Sequence, residues 1–323
     1  MSAAKKNIIL LNDGRAGNFN QLKALTNQLD GNLNIIEKKI TFSPASILPN
    51  FINLLFRTGL NYHNLIAKLD NIDFIFSAGR RSALAAILLQ KKFPKSKIIQ
   101  LMRPQLKHQY FAFIATPKHD QYKFSDHEML LAPNSINKKN LANALAKWPK
   151  LTSKTKTLAI IIGGDTKNNK ISKHIALKLC SEILALQKKF KLKLLLVTSR
   201  RTNDQLTQII KNKLTKQIEL FFWQELKQEN NPYLAILAAA NYFLVTADSV
   251  SMISDCLATG KPTIIFNSGF GEAKHHKLVK LLEKKEYIIT SNKALKNNKI
   301  NYFYQPISEA EELKKAITKK LSF

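Results

Sequence analysis

The sequence predicts an α/β protein made of two similarly sized halves, each a parallel sheet covered by helices. Three observations lead there. Short apolar runs, such as those at 157–162 and 192–197, alternate with helix-like segments along almost the whole chain. Parallel strands buried on both faces leave that pattern. A stretch at 148–156 holds Pro149 and several Lys, Ser and Thr residues but no apolar period, and the alternation restarts after it. A chain of 323 residues, 45% of them hydrophobic, is also long enough to fill about two ordinary cores.

The first half, residues 1–147, is expected to carry strands over 7–11, 33–40, 73–76, 98–101, 111–116 and 128–131. Helices fit 18–29, 52–69 with a break, 81–91 and 137–147, where apolar residues recur at helical spacing. Residues 148–156 read as a linker. In the second half, 157–305, strands fit 158–162, 193–197, 219–222, 242–245 and 263–266. They are separated by helices over 174–190, 204–214, 233–239, 251–258 and 274–284. The end of the chain, 306–323, opens with Ser308 and Glu311 in capping-box spacing, and Leu313, Ala316, Ile317 and Leu321 supply one apolar face. It should be a terminal helix.

Composition excludes several classes. No apolar run approaches the roughly 20 residues that cross a bilayer, and the apolar start at 8–11 turns polar at Asn12 and Asp13 before a signal-peptide core could form. The two cysteines, Cys180 and Cys256, sit in apolar helical contexts and read as buried thiols of a reducing compartment, which makes the chain cytoplasmic. The formal net charge is +29, from 51 Lys plus Arg against 22 Asp plus Glu. No zinc finger, helix-turn-helix or aromatic RNA-binding signature accompanies that charge, so sequence-specific nucleic-acid binding is not expected. A Lys-rich surface suits an anionic membrane face.

Ligands of open α/β sheets bind beyond the carboxyl ends of the strands, so polar and glycine-rich residues that follow apolar runs are the ones to inspect. The first such turn runs Asp13, Gly14, Arg15, Ala16, Gly17, Asn18. Its glycines suit either a plain strand-to-helix turn or a loop that presents N–H groups to an anion. A second turn carries Arg80 and Arg81, a pair able to grip a phosphate or carboxylate. Gly163 and Gly164 would let a diphosphate approach the main chain, and Lys167 closes that turn without completing a P-loop. Ser199, Arg200 and Arg201 form another paired-arginine turn.

The richest segment runs from Thr246 through Asp248, Ser249 and Ser251 to Asp255. Asp248 or Ser249 should cap the helix. Asp255 falls on the helix itself, where it could accept hydrogen bonds from ribose hydroxyls or join a surface salt bridge. His119, Asp120, Asp126, His127 and Glu128 include metal-ligating types, but their spacing matches no strong metal motif, and a solvated loop is expected. Lys274, His275, His276 and Lys277 follow a further Gly-Phe-Gly turn and read as an exposed basic helix start, with contact to a donor phosphate or to the acceptor as the alternative.

Taken in order, these motifs resemble the bacterial branch of the mitochondrial-fission "elongated mitochondria" family. The resemblance runs from the Asp13-Gly14 to Asn20-Gln21 turn, through Ser77 to Arg81, Pro117 with His119-Asp120, Gly163-Gly164, Thr198 to Arg201 and Asn231-Pro232-Tyr233, to the Thr246 to Met252 segment. That family is itself similar to GT-B glycosyltransferases, so the resemblance implies two Rossmann-like domains facing a cleft, with the nucleotide sugar held by the second.

On this resemblance Gly163, Gly164, Ser199, Arg200, Arg201, Asp248, Ser249, Ser251 and Asp255 would bind the donor. Asp255 would hold the ribose, and the two arginines would neutralise a departing diphosphate. Gly14, Gly17, Asn18, Arg80 and Arg81 would face the acceptor. Asn18 stands where members of the family commonly carry His, and an amide is no general base. Asp13 and the His119–Asp120 pair become the candidate catalytic groups.

The expected activity is therefore transfer of a sugar from a nucleotide-sugar co-substrate to a cell-envelope acceptor at the inner face of the cytoplasmic membrane. No metal or further cofactor is called for. The alternative is a non-catalytic adaptor of the same shape that binds a protein or membrane partner.

Overall fold

The computed structural model describes residues 5–43, 61, 69–166, 168–214, 218–226 and 231–321. The helix expected over 52–69 falls mainly outside them, and so does Lys167. The described residues divide into two compact units, one of Met1–Ser135 with Ser308–Phe323 and one of Ile136–Ile307.

The first unit opens with β1 (Lys6–Asn12), α1 (Ala16–Thr26), β2 (Leu33–Lys39), β3 (Phe74–Ala78) and α2 (Gly79–Lys92). It continues with β4 (Lys97–Leu101), β5 (Phe113–Pro117) and β6 (His127–Met129). The second unit holds α3 (Lys138–Ala146), β7 (Thr157–Ile162), α4 (Lys173–Phe190), β8 (Lys193–Thr198), α5 (Asp204–Leu214) and β9 (Ile218–Phe221). After these come α6 (Tyr233–Ala239), β10 (Tyr242–Thr246), α7 (Val250–Ala258), β11 (Thr263–Phe266), α8 (Ala273–Lys284), β12 (Ile289–Thr290) and α9 (Ser291–Lys296). The chain ends in α10 (Glu309–Leu321).

Each unit is built on a six-stranded sheet whose paired strands are all parallel. The first sheet has the order β2-β1-β3-β4-β5-β6, and the second β12-β11-β10-β7-β8-β9. The second order is the doubly wound Rossmann arrangement, in which the chain returns to the middle of the sheet and builds outward on the other side. Direction reverses between β1 and β3 in the first unit and between β7 and β10 in the second. These are the points where an open sheet leaves a crevice at its carboxyl ends.

The strands are apolar for the reason expected from sequence. Every residue of β7 and of β10 is buried, because helices cover both faces of the sheet. In the first unit alternate residues of one strand serve different cores: Ile9 and Leu11 pack with Ala83, Ile87 and Leu88 of α2, whereas Ile8 and Leu10 pack with Leu22 and Leu25 of α1.

The second of these cores is completed from the far end of the chain. Leu313 and Ile317 of α10 are wholly buried in it, and each contributes about 1.5–3 kcal/mol by leaving water. Three acids in the first turn of α10 and Lys319 and Lys320 in its last complement the helix dipole. Glu309 also anchors the helix to β6: Oε2 accepts N–H bonds from Leu130 and Leu131 at 3.0 Å each, and Oε1 lies 2.9 Å from His127 Nε2.

The division between the units precedes the expected linker at 148–156. Helix α3 packs against α6, and Pro149–Leu151 forms a short 3-10 turn with Leu151 buried, so this segment is part of the second unit.

Candidate functional site

The residues flagged in the second half converge at the carboxyl ends of β7, β8 and β10. Thr246, the last residue of β10, donates its hydroxyl to Asp248 Oδ1 at 2.7 Å and accepts the Gly163 N–H at 2.8 Å. Asp248 Oδ2 accepts the Gly164 N–H at 3.0 Å and lies 2.6 Å from the Arg201 guanidinium. Arg201 also donates to the Asp165 carbonyl at 3.3 Å, and the Thr202 hydroxyl donates to the Gly163 carbonyl at 2.5 Å.

The glycines answer to these contacts. A Cβ on Gly163 would sit 2.0 Å from Asp248 Oδ2, and one on Gly164 would sit 2.0 Å from the Arg201 carbonyl oxygen. Both glycine N–H groups are already taken up by side chains of the same unit.

The two arginines of the next turn therefore part company. Arg201 turns inward onto Asp248, whereas Arg200 is exposed and lines a pocket of about 260 Å³. The other walls are Val197, Thr198 and Ser199 at the end of β8, Trp223, Asn231 and Tyr233, and Ser249, Ser251, Met252 and Asp255 of α7. Ser249 is the helix cap, accepting the Met252 N–H at 3.4 Å, while Asp248 serves the ion pair.

Asp255 lies one turn further along α7 on the pocket wall. Its Oδ2 accepts the Tyr233 hydroxyl at 2.9 Å. The protein packed round the carboxyl pushes its pKa up to about 7, against which the Tyr233 hydrogen bond acts in the lowering direction. The site thus joins an exposed guanidinium, hydroxyls at a helix start, an exposed indole and a carboxyl poised near neutrality. Such a set can accept from a diol, stack on a flat ring and neutralise an anion.

A second loop borders the Asp248 cluster. After β11 the chain turns through Gly269 and Gly271, both left-handed at φ 72° and 87°. Asn169 clamps it by donating its amide to the carbonyls of both glycines at 2.9 and 3.0 Å. Glu272 and His275 form a reciprocal capping box at the start of α8, so His275 is buried rather than on an exposed basic helix start. His276 Nδ1 lies 2.7 Å from Asn267 Oδ1.

In the first unit the flagged turn sits at the switch between β1 and β3. Asp13 is buried; Oδ1 accepts the Arg15 N–H at 3.1 Å and Oδ2 the Asn18 amide at 3.1 Å. That amide also reaches the Ala78 carbonyl at 3.3 Å, which ties the turn after β1 to the end of β3. Gly14 needs its left-handed φ of 81°, whereas Gly17 sits in α1 with open space beside it. Arg81 stacks its guanidinium on the Phe42 ring at 3.9 Å, and Arg80 stands beside it at the exposed start of α2.

His119 and Asp120 occupy a short 3-10 turn after β5, with His119 Nε2 3.6 Å from Asp120 Oδ1. The neighbouring acids and His127 are otherwise engaged. Asp126 accepts the Ile114 N–H and pairs with Lys320 at 2.6 Å, Glu128 lies 3.8 Å from Lys118, and His127 meets Glu309. Among the described residues no three of His, Cys, Asp and Glu converge as a metal site would need. No helix among them is long and apolar enough to cross a membrane. Cys180 and Cys256 are both buried and unbridged.

Reading polar residues at strand ends misses Trp223 and Tyr233 as pocket walls. Trp223 lies two residues past the end of β9, so the strand-end rule applied to aromatic residues would have found it. Tyr233 opens α6 behind an Asn-Pro pair, a stretch that enters the family resemblance without being assigned to the site.

Comparison with known proteins adds a family and a fold. A family model described as Mitochondrial fission ELM1 matches residues 16–321. Uncharacterized protein RP120 of Rickettsia prowazekii is 28% identical over 347 aligned positions, covering 96% of this chain and 97% of that protein. Mitochondrial fission protein ELM1 of Arabidopsis thaliana is 24% identical over 251 positions, covering 70% of this chain and 58% of that protein. Among solved structures, UDP-GlcNAc 2-epimerase of Neisseria meningitidis bound to UDP-GlcNAc aligns with a TM-score of 0.54 at 14% identity, over 99% of this chain and 100% of that one. The S. aureus MnaA–UDP structure aligns with a TM-score of 0.52 at 14% identity, over 98% and 97%.

Proposed function

Because this chain belongs to the mitochondrial fission ELM1 family and folds as two Rossmann-like units of the GT-B class, we propose that its second unit binds a nucleotide sugar and that the chain transfers the sugar to a cell-envelope acceptor. One observation carries the reading. A pocket at the carboxyl ends of β8 and β10 places Asp255, Tyr233, Ser249, Trp223 and Arg200 round one volume of about 260 Å³.

In this reading the Asp255 carboxylate accepts the ribose hydroxyls, as its position on α7, one turn beyond Ser251 on the same pocket wall, allows. The Trp223 ring stacks on the base. Ser249 and Ser251 meet the phosphates where the N–H groups of the first turn of α7 add favourable partial charge. Arg200 rather than Arg201 neutralises the charge that develops on the departing diphosphate, since Arg201 is already paired. Gly163 and Gly164 act indirectly, by admitting the Asp248–Arg201 pair that holds the floor of the site. That relatives of the fold were solved with UDP-GlcNAc and with UDP supports the choice of ligand class.

Gly14, Asn18, Arg80 and Arg81 are proposed to recognise the acceptor, and the net charge of +29 suits an acceptor presented at an anionic membrane. His119, held beside Asp120, is the better candidate base, because both carboxylate oxygens of Asp13 are committed to its own turn.

That commitment also favours a second reading. With Asp13 and Asn18 bonded to each other, the chain would act instead as a non-catalytic adaptor of the same shape that binds a protein or membrane partner. Incubating the purified chain with a panel of labelled nucleotide sugars and membrane lipid extract separates the two. Release of nucleoside diphosphate together with labelled lipid, lost in His119→Ala and Arg200→Ala, supports transfer. Absence of sugar transfer with every donor and acceptor tried supports the adaptor, and absence of nucleotide binding sinks the transfer reading.

A further inference from the structure

We propose that Asn231 selects the base of the bound nucleotide: its side-chain amide donates to a carbonyl of the ring, so that uracil, thymine or guanine is preferred to cytosine or adenine. The inference rests on the nucleotide reading above and adds to it the class of base.

The direction of the amide is fixed by its partner. Asn231 Oδ1 accepts the Tyr233 N–H at 3.0 Å. A backbone N–H can be met only by the oxygen of an amide, so the nitrogen is the end turned elsewhere. Asn231 lines the Asp255 pocket. Its Nδ2 has no protein partner among the described residues, and it is not enclosed. What this side chain offers a ligand is therefore a pair of N–H donors.

Tyr233 sets the spacing. Its backbone N–H is held by Asn231 and its hydroxyl by Asp255 Oδ2 at 2.9 Å. The amide and the carboxylate thus stand at opposite ends of one tyrosine. A nucleoside has a matching layout, with the ribose hydroxyls at one end and, across the ring, the base edge that carries a carbonyl or an amine. With the ribose on Asp255 and the Trp223 indole, 38% exposed, against the base face, that far edge meets Asn231.

Two hydroxyls on the same pocket wall are already engaged. Thr198 Oγ1 accepts the Trp223 N–H at 2.9 Å, and Ser199 Oγ accepts the Arg201 N–H at 3.2 Å. A pocket with few oriented polar groups reads its ligand through those groups. A ring carbonyl satisfies the Asn231 amide. An exocyclic amine faces it donor to donor and leaves both unpaired, a mismatch that discriminates more sharply than a change of size.

The test uses nucleotides that differ at that edge. Affinities of UDP and CDP, and of IDP and ADP, are measured calorimetrically for the full chain and for Asn231→Asp and Asn231→Ser. Both replacements keep an oxygen able to accept the Tyr233 N–H, so the turn is retained. The wild type should favour the carbonyl-bearing member of the pair it binds by about tenfold, the worth of a hydrogen bond made rather than left unpaired. Asn231→Asp replaces the donors with an acceptor and should bring the ratio to parity or reverse it. Asn231→Ser, too short to reach the base, should bring it close to parity. The ratio is the readout, because an added charge or a loosened turn weakens both members alike.

Equal affinities in the wild type, a preference for the amine-bearing member, or a carbonyl preference that persists in either variant overturns the proposal and leaves the nucleotide reading in place. A wild type that binds none of the four nucleotides overturns that reading and this inference together.

Discussion

The Asp248 carboxylate meets the Arg201 guanidinium at 2.6 Å, with the Asp248 side chain wholly enclosed and that of Arg201 about one-third exposed at 35%. The pair joins the turns after β8 and β10 across the end of β7, the strand that separates them in the sheet. It spans the topological switch point, and it explains why glycine occupies 163 and 164. Half of a paired-arginine turn is therefore architecture, and the other half, Arg200, faces the pocket.

Removing Arg201 should be costlier than its partial exposure suggests. Arg201→Ala leaves a buried carboxylate with only the Gly164 N–H and the Thr246 hydroxyl as partners. A loss of roughly 2–4 kcal/mol is expected, read as a lower urea midpoint at unchanged slope.

Glycine substitutions should divide by site. Gly163→Ala and Gly164→Ala drive a methyl to 2.0 Å from Asp248 and from the Arg201 backbone, and each should destabilise by about 2 kcal/mol or more. Gly17→Ala, in a helix with open space beside it, should stabilise by roughly 0.5–1 kcal/mol. Thermal melts of the three variants check the contrast.

Asp255 makes stability fall as pH rises. Its carboxyl titrates near 7 when folded and near 3.8 when unfolded, so between those values the folded state binds more protons than the unfolded state. The neutral-acid advantage is complete below about 4 and gone above about 7. Asp255→Asn should flatten this slope and exceed the wild type at pH 8 by on the order of 1–3 kcal/mol relative to pH 4. Tyr233→Phe removes the hydroxyl that favours the ionised form and should move the midpoint upward. Urea titrations across that pH range provide the measurement.

The anchor of α10 is equally local. Glu309→Ala strands the Leu130 and Leu131 N–H groups and leaves His127 without its partner. Hydrogen exchange over 309–321 should quicken well before the second unit responds, with a stability loss of about 2–4 kcal/mol in the first unit. Uniform exchange along the chain would contradict this local role.

Much of the fold was legible because buried parallel strands announce themselves as apolar runs: β7, β8, β10 and β11 fall within a residue or two of where their runs lie. The terminal helix was equally readable from its cap and its apolar spacing. What composition could not show was partnership. Nothing in the sequence says that Arg201 pairs inward while Arg200 does not, since adjacent residues at a strand end differ only in which way the chain turns. Nor does spacing reveal that His275 folds back on Glu272, a feature set by a glycine turn and an asparagine about a hundred positions away. The segment at 148–156 lacks an apolar period yet belongs to the second unit, because its one buried residue, Leu151, gives no repeat for a pattern to show.

The central claim is that the pocket beside Asp255 receives a nucleotide sugar. The chain has four methionines, of which Met252 lines that pocket and Met129 lies buried in the first unit. Methyl spectra of ¹³C-methionine-labelled protein, titrated with UDP-, GDP-, ADP-, dTDP- and CMP-sugars, report on the pocket directly. At least one of these should move the Met252 signal saturably while Met129 stays in place, and the shift should vanish in Asp255→Ala. A Met252 signal that none of them moves, or a shift that survives in Asp255→Ala, would contradict the account.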